Sequence, residues 1–291
     1  MTNSDSGVAR TLATAGPPPE MAIFQLPTGT YETPAALAFQ GGSFRDRRQF
    51  AATAVLVRHP EGDVLIDAGF GTQAEEHIRM LPSFRRSPHR LGSTVSDQLD
   101  AAGYDRSRLS GVILTHSHWD HVSGLDSLDV PILVTDEELR YADRNRGDRV
   151  FRRVAAGHDF RGYSFDGPAH LGFPASHDLH GDGSVVIVPA PGHTTGSVVV
   201  LVTVRPDQRF AFIGDLAWQL DGIARGAQRP LLMRLLADSD SAQVRQDLAR
   251  VTALAQHMQI VPAHDARAYE GIPLLVPDAE RRATGAVPSA L

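Results

Sequence analysis

The sequence predicts a mixed α/β fold, on two observations. Short apolar runs alternate with amphipathic stretches throughout 21–276, the rhythm of strands interleaved with helices. Several of the apolar runs also end in a turn of Gly, Pro or Ala that delivers a histidine or an aspartate, which is how layered α/β proteins gather chemistry at one edge of a sheet. A chain of 291 residues, 42% hydrophobic, is long enough for one large domain or about two small ones. No repeat or composition break divides this one.

The elements follow in order. Apolar runs at 21–26, 52–58 and 63–66 read as strands, the last two joined by the turn Pro60-Glu61-Gly62-Asp63. Helical spacing appears at 73–79 and at 93–102, the latter with Ser or Thr available as a cap. Strands are expected at 111–114 and 132–134, then a helix at 136–144. Strands at 185–188, 198–204 and 210–213 precede a helix at 239–256 and a last strand at 260–261. Residues 140–183 show no clean period and carry Arg144, Arg146, Arg149, Arg152, Arg153 and Arg161 among acids. They read either as a lid over a substrate or as a solvated connection with one more helix, and their place beside the histidine-rich segment favours the lid. Residues 1–20, ending in Gly16-Pro17-Pro18-Pro19, read as a disordered leader, and 277–291 as a small, polar tail.

Composition removes several function classes. With Lys+Arg 28 against Asp+Glu 34 the net charge is −6, a field that repels polyanions, so neither nucleic acid nor an anionic membrane is an expected partner. Cysteine is absent, which excludes disulfides, thiolate ligands and thiol nucleophiles. Every basic residue is arginine, so there is no Schiff-base lysine and no Walker A loop. No run reaches the roughly 18 apolar residues of a membrane helix, and no basic-then-apolar signal opens the chain. The expectation is a soluble, cytoplasmic protein acting on a small molecule.

The chemistry lies in Thr115-His116-Ser117-His118-Trp119-Asp120-His121, directly after the run 111–114. In an extended segment residues two apart point the same way, so His116 and His118 can converge on one metal. Asp120 and His121, where the chain turns toward a helix, can face a second. His193 follows 185–188 across Pro189-Ala190-Pro191-Gly192, Asp215 follows 210–213 across Gly214, and His264 follows 260–261 across Pro262-Ala263. Five imidazoles and two carboxylates suffice for two metals about 3.5 Å apart, with one carboxylate bridging and a position left for water. Sulfur-free, nitrogen-rich ligation favours Zn²⁺, with Fe, Mn and Co compatible. His59, His77, His89, His158, His170, His177, His180 and His257 carry no such context and read as ordinary surface or core residues.

With Pro191-Gly192-His193-Thr194-Thr195-Gly196, Gly214-Asp215 and the early Leu65-Ile66-Asp67-Ala68-Gly69, this run resembles the metallo-β-lactamase fold superfamily across nearly the whole body. The resemblance implies a four-layer αββα sandwich with the metal site at one edge of two sheets. It implies that His116, His118 and His193 hold a first metal, that Asp120, His121 and His264 hold a second, and that Asp215 bridges them. Asp67 would orient a ligand histidine without touching metal, and Thr194, Thr195 and Gly196 would shape the ligand loop.

Such a centre implies a hydrolase in which metal-activated water attacks a carbonyl, with Asp120 shuttling a proton toward the leaving group. The missing cysteine ligand disfavours class B1-type β-lactamases, and a histidine at 118 disfavours flavodiiron proteins. Little chain follows His264, which disfavours glyoxalase II-like thioesterases. The ligand set, N-terminal extension and central insertion look most similar to N-acyl homoserine lactonases and related ester hydrolases, a group consistent with a homodimer. One departure is Trp218, three residues after Asp215, where those lactonases carry a tyrosine that assists the carbonyl oxygen. Its indole can offer an N–H or an apolar wall. A glyoxalase II-like thioesterase or another hydrolase of this fold stays open as an alternative, and a non-catalytic ligand-binding effector and a mono-iron dioxygenase are the alternatives from other classes.

Overall fold

The structure, a computed structural model, describes residues 15–144 and 149–276. Residues 1–14 of the expected leader, the tail at 277–291 and Arg146 lie outside the described residues. Twelve strands are described: β1 (Ala22–Pro34), β2 (Arg47–Arg58), β3 (Asp63–Ile66), β4 (His89–Leu91), β5 (Leu109–Ile113), β6 (Ile132–Leu133), β7 (Phe160–Arg161), β8 (His177–Asp178), β9 (Val185–Pro189), β10 (Val198–Arg205), β11 (Gln208–Phe212) and β12 (Gln259–Val261). They form a seven-stranded sheet in the order β4-β1-β2-β3-β5-β6-β7 and a five-stranded sheet in the order β12-β11-β10-β9-β8.

Strand periodicity sorts the apolar side chains into three cores, because successive residues of a strand point to opposite faces. Val55, Val57, Val64, Ile66 and Ile113 of the first sheet meet Val185, Ile187, Val200, Val202 and Phe212 of the second between the sheets. Their alternates Ala54, Leu56, Leu65 and Val112 face outward onto helix α3 (Val95–Ala101) and helix α6 (Arg149–Val154). On the far side Val186, Val188, Val199 and Leu201 pack against Val244, Leu248, Val251 and Leu254 of helix α9 (Ser241–Leu254). Helix, sheet, sheet, helix is the four-layer arrangement the resemblance implies. The remaining helices are α1 (Ala35–Ala38), α2 (Ala74–Met80), α4 (Trp119–Val122), α5 (Asp136–Arg144), α7 (Leu220–Ala224) and α8 (Leu231–Ala237).

The helix signals read from sequence have concrete counterparts. Thr94 caps α3 through a reciprocal capping box with Asp97, and Asp240 caps α9 by accepting from the amides of Ala242 and Gln243. The strands differ more from expectation. β1 runs on past 26 because its register shifts between Pro27 and Gly29, after which it pairs with both β2 and β4. A proline and a glycine in a run normally argue against a strand, and here the irregularity absorbs them. Within 140–183 the structure shows α6, β7 and β8, and Val150, Phe151 and Val154 are buried in the outer core of the first sheet.

Strand direction positions the site. β3 and β5 are parallel, β11 and β12 are parallel, and β9 and β11 both run antiparallel to β10. Residues that follow β3, β5, β9, β11 and β12 therefore emerge along one edge of the sandwich. Two close ties join the sheets there: the amide of Val198 donates to the carbonyl of Thr115, and the amide of Ala51 to that of His264. Gly214 has φ 50°, and a Cβ there would lie 2.9 Å from the Cβ of Thr115, so the turn that presents Asp215 requires glycine.

Candidate metal centre

Seven side chains meet at this edge in two groups. His116, His118, His193 and Asp215 form one, and Asp120, His121 and His264 the other, with the donor atoms of each group all within 4.8 Å of one another. Asp215 faces both. Its Oδ2 lies 3.3 Å from His193 Nε2 and 3.7 Å from His116 Nε2, while Oδ1 lies 2.9 Å from His264 Nε2 and 3.3 Å from His121 Nε2. Asp120 Oδ2 is 3.5 Å from His264 Nε2.

The outer nitrogens of four imidazoles are engaged elsewhere, which fixes what faces inward. His121 Nδ1 donates to Asp67 Oδ2 (2.7 Å) and His264 Nδ1 to the Ala51 carbonyl (2.8 Å). His116 Nδ1 is 3.2 Å from the Thr115 hydroxyl, while His193 Nδ1 lies between the Arg229 guanidinium (2.7 Å) and Asp238 Oδ1 (3.1 Å). An imidazole that gives its proton outward presents a lone pair inward, the form that binds a metal. His118 turns Nδ1 inward, 2.9 Å from His193 Nε2, with Nε2 3.3 Å from the Tyr141 hydroxyl. His116 Nε2 is buried and has no hydrogen-bond partner. Lone pairs crowded together with two carboxylates satisfy one another through a cation and through little else, so the donor set fits divalent metal.

Before an ion is bound the electrostatics differ between the two groups, the second holding its protons more tightly. Burial, reinforced by neighbouring imidazoles, pulls His116 and His118 well below the ordinary histidine pKa, into the neutral ligating form. His121 and His264 are likewise penalised by burial, yet are raised because Asp215 faces both, with Asp67 beside His121 and Asp120 beside His264. Burial opposes ionisation of Asp215, and the facing His264 and His121 nonetheless hold it well below the carboxylate range. Negative charge at the centre is thus present before any ion arrives.

Asp67 has φ 56°, a left-handed conformation uncommon outside glycine. That strain aims its carboxylate at three donors: the Thr115 amide and hydroxyl, both at 2.8 Å, and His121. The Thr194 hydroxyl donates to Glu138 Oε2 at 2.6 Å. Trp218 is half-buried, and its indole N–H donates to Asp215 Oδ2 at 2.7 Å.

Several residues at the centre were not singled out from sequence. Glu138, 1% exposed, accepts from the Ser117 amide and hydroxyl with one oxygen and from Thr194 and the Gly196 amide with the other. A Cβ on Gly196 would meet the Glu138 amide nitrogen at 2.2 Å, which is how closely its loop approaches helix α5. Asp238 is paired with buried Arg229 at 2.8 Å, and Arg229 also reaches the Asp215 carbonyl at 2.6 Å. The Tyr31 hydroxyl, on β1, donates to Asp120 Oδ2 at 2.9 Å, and burial first, then Asp120 and Asp215, raise this phenol well above its usual pKa, so it stays a neutral donor. Of these only Glu138 had a usable signal, an acid on the same helical face as Ala142, which the core buries. Tyr31, Arg229 and Asp238 arrive by tertiary contact with nothing local to mark them.

Residues 47–264 match the metallo-beta-lactamase superfamily, and the chain belongs to it. It is similar to a probable metallo-hydrolase of Mycobacterium tuberculosis, 30% identical over 233 residues that cover 74% of this chain and 75% of the relative. An N-acyl homoserine lactonase, AttM of Azorhizobium caulinodans, is 25% identical over 228 residues, 74% of this chain and 81% of that one. Among solved structures, an N-acyl homoserine lactone hydrolase with the product N-hexanoyl-L-homoserine bound at its catalytic metal centre superposes with a TM-score of 0.68. That match covers 87% of this chain and 96% of the other at 15% identity, a likeness of fold. Among the described residues no helix is long and apolar enough to cross a membrane.

Proposed function

We propose that the protein is a dinuclear, zinc-dependent hydrolase that adds water across the acyl C–O bond of a small lactone or ester, an N-acyl homoserine lactonase-like activity. The observation that carries this reading is the Asp215 carboxylate, each oxygen of which faces a different group of imidazoles. Nitrogen and carboxylate donors without sulfur suit zinc. His116, His118, His193 and Asp215 would hold one ion, and Asp120, His121, His264 and the same Asp215 the other. Bound there, two divalent cations supply Lewis acidity to a carbonyl oxygen and acidify a water.

The chain's own residues do the rest. Asp67 and the Ala51 carbonyl fix the tautomers of His121 and His264, so the imidazoles need not reorganise when substrate arrives. Asp120, with one oxygen held by Tyr31, is the carboxylate available to move a proton toward a leaving alkoxide. The lactonase names among the relatives and the fold likeness support the substrate class.

The test is a set of initial hydrolysis rates for the zinc-loaded protein on acyl lactones, thioesters, a β-lactam, a phosphodiester and aryl esters, with metal-stripped protein as blank. The expected result is about two zinc per chain and a dominant, metal-dependent lactone or ester rate. Dominance of another substrate class retains the metal centre and overturns the substrate, while one tightly held iron with oxygen uptake overturns both.

A further inference from the structure

Two aromatic side chains approach the centre from outside the histidine set, and each carries a single polar hydrogen. The Tyr31 hydroxyl donates to Asp120 Oδ2 at 2.9 Å and the Trp218 indole N–H to Asp215 Oδ2 at 2.7 Å. An indole nitrogen can only donate. Neither ring is free to leave its carboxylate. Tyr31 lies between Phe50, 5.2 Å away by ring centroid, and Trp119 at 6.0 Å, with its ring edge-on to His264 at 5.6 Å. Trp218 is edge-on to Phe50 at 5.7 Å, and the Arg229 guanidinium lies over its ring, 4.6 Å from the centroid.

We propose that Tyr31 and Trp218 are a pair of positioning residues for the two metal-holding carboxylates, Tyr31 fixing Asp120 within the group of His121 and His264, and Trp218 fixing the Asp215 that both groups share. The inference rests on the two-ion reading above and deepens it. A hydrogen bond to one carboxylate oxygen sets the rotation of the group and so decides which oxygen turns toward which imidazoles. For Asp215 that rotation places Oδ2 toward His193 and His116, and Oδ1 toward His264 and His121. It follows that the residue three positions after Asp215 governs ion retention here, because its N–H is engaged by the carboxylate.

The two donors have unequal reach, which makes the proposal testable without any substrate. Tyr31→Phe removes one hydroxyl and keeps the packed ring, so it touches only the Asp120 group. Trp218→Phe removes the donor on the shared carboxylate and so touches both. Partners that orient metal ligands from outside typically contribute about 10–100-fold in metal affinity.

The experiment titrates the purified wild type, Y31F and W218F with Zn²⁺ against a chromogenic chelator, and records visible spectra of the Co²⁺-substituted proteins. In Y31F one equivalent is expected to bind as in the wild type and the other to weaken by about 10–100-fold, with the cobalt band of one site altered. In W218F both equivalents weaken. Wild-type affinity and cobalt spectra in both variants overturn the proposal, as does equal weakening of both equivalents in Y31F. If W218F does not fold, Y31F decides alone, since its packing is unchanged. A wild type that holds fewer than two equivalents overturns the two-ion reading and this proposal with it, and is recognised because the deficit appears before any substitution.

Discussion

Asp215→Ala is expected to leave less than one zinc per chain after dialysis and to lower hydrolysis by about three orders of magnitude or more, the scale seen when a principal catalytic group is removed. The reason is geometric. Asp215 turns one oxygen toward each group of imidazoles, so truncation removes a donor from each at once and takes away the negative charge that His121 and His264 answer to. Asp215→Asn separates the two contributions, because it keeps the shape and discards the charge. It should retain more zinc than the alanine variant and still fall far below the wild type. Metal analysis by mass spectrometry alongside the lactone rate checks both, and full zinc content in the alanine variant would remove Asp215 from the centre.

The second large effect lies at a residue that touches no candidate ligand. Glu138→Ala should destabilise the fold by about 3–5 kcal/mol, the usual consequence of removing a buried carboxylate and stranding its donors. Four groups lose their acceptor: the amides of Ser117 and Gly196 and the hydroxyls of Ser117 and Thr194. Ser117 lies between His116 and His118, and Thr194 follows His193, so the same change loosens three imidazoles of one group. Glu138→Gln keeps a single acceptor oxygen and should fall in between. Urea unfolding of the metal-free proteins measures the stability and zinc titration the ligand disorder. A loss under about 1 kcal/mol for the alanine variant would mean that water replaces the carboxylate without penalty.

Sequence reading went furthest where local pattern and function coincide. Strand alternation at 54–57, 64–66 and 185–188 separates three cores because side-chain direction along a strand is fixed by the backbone alone. The seven ligand-type residues were visible because each directly follows a strand end. Tyr31 was hidden by the same logic: it lies beyond a proline and a glycine that break the apolar run, and only the register shift between Pro27 and Gly29 carries β1 on toward Asp120. Helix α8 escaped for a different reason, and α6 was foreseen only as one more helix somewhere in 140–183, since two turns are too few to establish a period. Glu138 is intermediate, an acid whose helical phase says buried while its charge says exposed, and a residue caught in that conflict is worth suspecting.

Helix α8 stands between Arg229 and Asp238, which pair with each other and close on His193. The helix itself buries no residue, and Leu231, Leu232, Leu235 and Leu236 are 55–74% exposed. A strap secured mainly at its two ends opens when those ends let go, so its local unfolding and the release of His193 are coupled equilibria. Any ion that requires His193 in place therefore raises the free energy of opening the strap by RT ln(1 + [ion]/Kd), about 2.7 kcal/mol at a hundredfold excess over Kd. Amide exchange across 231–237 should slow by about two orders of magnitude on zinc loading, and equal exchange in the two states would uncouple them. The apolar strap then reports whether the centre beneath it is loaded, without itself contributing a ligand.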